Sequence, residues 1–218
     1  MKKQTKKAKT IQQELKKEDF RVSIFGSART KPEDDLYQDV YDLAKAIGQQ
    51  GFDIVTGGGP GMMEAANAGH AAGDPDMISD SIGLTIQLPW EAEGNKHLEI
   101  KKHFNKFSGR LDHFMALSNV MVVTPGGIGT CLELFYSWQL IQVKHVHPIP
   151  VILIGKMWEK LIDWVKKYPL KDGLISPEDL DQIHVVKNNK EAMQIIMDTH
   201  KKWKKSPKSC SNSTKYKL

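Results

Sequence analysis

Six short runs of aliphatic and β-branched residues recur along the chain, each followed by a longer stretch whose apolar residues fall three and four apart. The short runs are RVSIF (21–25), FDIVT (52–56), IGLTIQL (82–88), NVMVVT (119–124), IPVILIG (149–155) and IHVV (183–186). Most are apolar nearly throughout, which predicts parallel strands covered on both faces rather than strands with one wet side. The longer stretches predict helices over 34–49, 61–71, 106–117, 129–143, 157–167 and 189–204. In the first of them Leu36, Val40, Leu43, Ala44 and Ile47 share a face, and Gly51 stands where a helix cap belongs.

Strand–helix alternation with short connections predicts an α/β fold: a Rossmann-like, doubly wound parallel sheet flanked by helices, in a single domain. With 218 residues the chain is long enough for one such domain with a full core. The domain is expected over residues 20–204, between basic, disordered tails at 1–19 and 205–218. Charge supports that division. Residues 1–19 hold seven lysines against three acids, and residues 201–218 hold seven lysines and no acid, so the net +5 leaves −6 for residues 20–200. Neither tail interleaves aromatic residues as a base-stacking surface would, so nucleic-acid binding is not expected.

No apolar run approaches the roughly 20 residues that span a bilayer. The lysine-rich start lacks an apolar segment behind it, so neither a secretory signal nor membrane attachment is expected. The two cysteines, Cys131 and Cys210, are not expected to form a disulfide framework, which fits a cytoplasmic protein.

Two glycine-rich stretches follow predicted strands and open predicted helices: TGGGPGMMEAA (56–66) and VTPGGIGTCLEL (123–134). A helix N-terminus leaves amides unpaired and carries a partial positive charge, and glycines let a phosphate approach that backbone. Gly58, Gly59, Gly61, Gly126, Gly127, Gly129 and Thr130 are therefore candidate substrate-binding residues. Ser27, in FGSART (25–30), and Glu91, after the third strand, join them. Neither loop completes G-x-G-x-x-G, since Met62 and Leu132 stand at the last position, and no G-x-x-x-x-G-K-[ST] occurs. Dinucleotide and triphosphate readings weaken accordingly.

Glu133 falls near the first turn of the helix after the second loop. A first-turn acid can merely complement the helix dipole. Beside a phosphate site, however, a carboxylate repels the ligand, which points to work on another part of it, such as a sugar hydroxyl. Arg110 lies off the apolar stripe Phe107, Leu111, Phe114, Leu117. The eight histidines show no metal-ligand spacing, and no metal is expected.

PGGIGTCLE (125–133) matches the P-G-G-x-G-T-x-x-E signature of the Lonely Guy (LOG) family, whose members also carry the label possible lysine decarboxylase. GGGPGMM (57–63) resembles that family's G-G-G-x-G-x-M loop, and the similarity covers roughly residues 21–196. The resemblance implies a phosphoribohydrolase that splits nucleoside 5′-monophosphates, AMP-like or cytokinin nucleotides, into free base and ribose 5-phosphate. It implies a homodimer with no cofactor, and it matches Arg110 and Glu133 to the two catalytic positions. Two departures stand out: the usual Arg-Lys pair is Arg110-Leu111, and the acid often found before the motif glutamate is Leu132. A nucleotide or pterin carrier without chemistry, and a nucleotide-dependent oxidoreductase, remain as alternatives from other classes.

Overall fold

The computed structural model describes residues 9–86, 94–207, 212–216 and 218. Seven strands form one sheet: β1 (Arg21–Phe25), β2 (Asp53–Thr56), β3 (Ser81–Ile86), β4 (Ile100–Phe104), β5 (Val120–Val123), β6 (Val151–Ile154) and β7 (Ile183–Val186). All pairings are parallel, in the order β4-β3-β2-β1-β5-β6-β7. The helices are α1 (Ile11–Glu14), α2 (Asp35–Gln49), α3 (Met62–Gly73), α4 (Phe107–Leu117), α5 (Ile128–Gln142), α6 (Lys156–Val165), α7 (Asn189–Lys205) and α8 (Asn212–Lys215). A π-helical turn at Lys166–Leu170 extends α6, and a 3₁₀ turn at Pro177–Leu180 precedes β7.

The period-two geometry of a strand sends alternate side chains to opposite faces. Val22 and Ile24 of β1, with Val120 and Val122 of β5, pack under α2, α3 and α7. Phe25, Met121 and Val123 point the other way, into a second core completed by Phe114, Leu134 and Trp158 of α4, α5 and α6. Helices on both faces bury the central strands completely, which explains their unbroken apolar character.

One strand was not predicted. β4, IKKHF, is an edge strand whose two lysines and histidine face outward or sit half-buried between Ile100 and Phe104. Lysines on an edge discourage pairing with other chains, and they also erase the apolar run by which strands are recognised.

Parts of both expected tails pack onto the domain, a departure from the sequence reading. Ile11 is 2% exposed and joins the core. Buried Arg21 gathers the surrounding acids at the amino edge of the sheet: its Nη2 lies 3.3 Å from both Glu14 and Asp19, and its Nε lies 3.2 Å from Asp53. Lys17 closes on Glu14 at 2.6 Å. Burial pushes the Asp53 carboxyl up to about 7, against the pull of Arg21. The missed signal was a single isoleucine and one buried acid, Glu14, inside a run of lysines. At the other end, Asn212 is 1% exposed.

If α1 is a docked part of the domain, Ile11→Ala should cost about 2–4 kcal/mol, as other buried truncations do. Urea unfolding of the full chain measures it, and a change within about 0.5 kcal/mol, as for an exposed site, would show that the segment does not hold the fold.

Candidate active site

The strand order reverses at β1, whose neighbours are β2 and β5. Open α/β sheets form their ligand crevice at such a point, outside the carboxyl ends of the strands. The loops after β1, β2 and β5 meet there, and specific bonds stitch them together. Thr124 Oγ1 donates to the Phe25 carbonyl at 2.9 Å, and the Ser27 amide donates to the Pro125 carbonyl at 3.2 Å. The Ser27 carbonyl accepts the amide of Met62 at 2.9 Å. Gly61, with φ of 68°, makes that approach possible, because a Cβ there would stand 2.4 Å from the same Ser27 oxygen.

The two glycine loops differ in openness. Gly57, Gly58, Gly59 and Gly61 are buried, and the first amide of α3 is already taken by Ser27. Gly127, Ile128 and Gly129 at the start of α5 are exposed, and a Cβ on either glycine would meet nothing within 4 Å. Buried Thr130 folds its hydroxyl over Gly126, where a Cβ would come within 2.1 Å of it. The N-terminus of α5 thus offers its unpaired amides and its dipole to an anion.

Arg110 and Glu133 come together beside this loop. Arg110 projects from α4, its Nε donates to the Leu84 carbonyl of β3 at 2.7 Å, and its Nη2 lies 3.4 Å from Glu133 Oε1. Gly57 clears the space: a Cβ there would collide with Arg110 Nη2 at 2.3 Å. The guanidinium also sits 5.4 Å from the Phe114 ring centre. Glu133, one turn inside α5, is 9% exposed. Desolvation pushes its carboxyl up to about 7, and Arg110 pulls in the opposite direction. A carboxyl poised near neutrality can hold a developing positive charge or move a proton.

Ser27 lies in the loop after β1, and Gly126, Gly127, Gly129 and Thr130 lie in the loop after β5 and the first turn of α5, while Glu91 lies outside the described residues. Two polar residues that the sequence reading passed over support the first loop. Asn67, fully buried on α3, accepts from Thr56 Oγ1 at 2.8 Å and donates to Ser81 Oγ at 2.9 Å. Asn95 donates its side-chain amide to the Gly59 carbonyl at 3.1 Å and its backbone amide to Gly58 at 2.8 Å. A lone amide in the Ala-rich helix was the available sign for Asn67.

His113 is half-buried; its ring lies 4.6 Å from Phe104, and its Nδ1 is 2.7 Å from the Gly109 carbonyl. Among the described residues the acids close enough to share a metal are Glu14, Asp19 and Asp53, and Arg21 and Lys17 already pair with them. A cavity of about 640 Å³ opens at the amino ends of β5, β6 and β7, lined by His147, His184 and Lys202. It lies at the opposite end of the strands from the buried carboxylate and the open helix N-terminus.

The family model described as possible lysine decarboxylase matches residues 57–196. A pyrimidine/purine nucleotide 5′-monophosphate nucleosidase of Escherichia coli K12 is 31% identical over 133 residues, 55% of this chain and 29% of that protein. The match therefore spans under a third of the relative's length. A molybdenum cofactor binding protein from Rippkaea orientalis has a similar structure, with a TM-score of 0.63 at 17% identity over 83% of this chain and 96% of that one. The molybdenum cofactor carrier protein of Chlamydomonas reinhardtii gives 0.61 at 19% identity, over 84% and 99%. At these identities the likeness is one of fold.

The raised carboxyl of Glu133 has a stability consequence. Its ordinary value is 4.5 and its folded value about 7, so its contribution is fully present below about pH 4.5 and is lost as pH rises through 7. Glu133→Gln carries no such loss. Urea unfolding at pH 5 and pH 8 should show the variant gaining on the parent by on the order of 1–3 kcal/mol across that interval. A constant difference would mean that Glu133 ionises normally in the fold.

Proposed function

We propose that this chain, which belongs to the family described as possible lysine decarboxylase and also called Lonely Guy, hydrolyses the N-glycosidic bond of nucleoside 5′-monophosphates. The observation that carries this reading is the placement of the buried Arg110–Glu133 pair one turn behind the open N-terminus of α5. Glu133 stands five positions after Ile128, a rise of about 7.5 Å along the helix. A 5′-phosphate on the first amides of α5 thus lays its ribose along the turn that ends at Glu133.

Cleavage of a ribosyl bond passes through an oxocarbenium-like state. The C1′–N bond breaks with its electron pair leaving on the base, water adds its oxygen to C1′, and the proton that water loses balances the one the departing base takes up. Glu133 stabilises the cationic sugar or takes the water proton, and the fixed phosphate holds C1′ against it. Arg110 keeps the carboxylate oriented and adds positive charge for the anionic substrate. Residue 111 is a buried leucine, not the lysine of the usual pair, so the phosphate relies on backbone amides and Arg110.

We also infer a homodimer. α5 is apolar on its outer side as well as its core side: Ile128, Leu132 and Phe135 are exposed, the first by 87%. A helix whose exposed surface is largely apolar belongs in an interface. Phe135 continues into a groove with Trp164, Pro169 and Ile175. A second copy over this face would stand beside the first turn of α5 and help enclose the base. Light scattering at micromolar concentration should give a dimer, and Phe135→Glu should weaken it; a monomeric parent overturns the inference.

The parent should release base from AMP or another nucleoside monophosphate and not from the matching nucleoside. Equal rates on AMP and adenosine would remove the phosphate from the reading. Glu133→Gln should lower turnover by about 10²-fold or more while binding holds or tightens. Arg110→Ala should weaken binding as well as turnover. Tight nucleotide binding with no base release from any monophosphate would make the protein a carrier.

A further inference from the structure

The C-terminal segment and the reacting pair are connected through one carboxylate. Tyr216 donates its hydroxyl to Asp112 Oδ1 at 2.7 Å, and Tyr136 of α5 donates to the same oxygen. The two phenol oxygens lie 3.2 Å apart. Asp112 follows Arg110 by two residues on α4, and Tyr136 follows Glu133 by three on α5. The segment is anchored behind this junction. Buried Asn212 accepts the His147 amide at 2.7 Å, and Lys215 Nζ donates to the Val146 carbonyl at 3.0 Å.

We propose that residues 212–216 form a strap that fixes α4 against α5 and thereby sets the Arg110–Glu133 contact, with Tyr216 a positioning residue. The proposal rests on the reading that this pair carries the reaction. No backbone ladder joins two helices, so their relative slide is fixed by side chains alone. Between α4 and α5 the shared core and the Arg110–Glu133 contact are supplemented by a charged acceptor shared by two phenols, and hydrogen bonds to a charge are the strong ones. Burial and the neighbouring Asp112 push the Tyr136 hydroxyl far up, so it remains a donor throughout the neutral range. Without the third member, Asp112 keeps one phenol, and the outer edge of the α4–α5 junction is open to water. A shift well under 1 Å at an ion pair of 3.4 Å is enough to change how the carboxylate meets the sugar.

The test compares the full chain with Tyr216→Phe, Asp112→Asn and the double variant. AMP hydrolysis, thermal melting and amide hydrogen exchange are the readouts. Tyr216→Phe should lower kcat by about tenfold with KM within about twofold. Its melting temperature should fall by no more than about 4 °C, the shift from one lost hydrogen bond in a chain of this size. The double variant should be no slower than Asp112→Asn, because both act through one junction. Exchange should quicken in α4 and α5 and stay unchanged in α2 and α3. Parental kcat in Tyr216→Phe, additive losses, or unchanged exchange in α4 and α5 overturns the strap. If the parent releases no base from any monophosphate, the functional reading falls, and the exchange result alone decides whether the strap exists.

Discussion

A carboxylate that is only 9% exposed needs a cation beside it, and the contact between Glu133 and Arg110 meets that need. Much of the surrounding structure exists to hold this contact. The guanidinium is aimed by the Leu84 carbonyl of β3 and admitted by the missing side chain at Gly57 after β2. The carboxylate is carried by α5, whose start is fixed by Thr124 against β1 and by Thr130 over Gly126. Four strands and two helices therefore converge on one ion pair. Arg110 does not cancel the cost of burial entirely, since the carboxyl still rises to about 7.

How much of this was legible follows from how each feature is encoded. Central strands are covered on both faces, so their apolar runs announced themselves, and the glycine loops marked the strand ends that build the crevice. Edge strand β4 hid because its outward lysines break the run. The pairing of Arg110 with Glu133 could not be read from spacing, because it depends on α4 and α5 lying side by side on one face of the sheet. Asn67 and Asn95 escaped for a related reason: each is an ordinary polar residue until the fold brings a glycine carbonyl or a buried hydroxyl to it.

The equal treatment of the two glycine loops also needed the structure. Both have the composition of a phosphate cradle, yet the first is a buried joint, its helix amide held by Ser27. The second is open to solvent over Gly127 to Gly129. Sequence reports where a backbone can bend sharply; only the fold reports which bend faces outward. The charged ends show the same limit. A segment rich in lysine reads as solvated by composition, and a single well-placed isoleucine with one buried ion pair is enough to bind part of it to the domain.

The strand order also governs how the chain takes shape as it is made. β1, near the start of the sequence, ends in the middle of the sheet, and its second neighbour, β5, begins 95 residues after β1 ends. During synthesis the half containing β1 to β4 is exposed first, with one side of β1 unpaired until β5 emerges. That side is an apolar open edge during the interval, the state in which parallel sheets are slowest to close and most prone to join other chains. The fully buried strand that makes the finished domain robust is thus the one that a nascent chain must shelter longest.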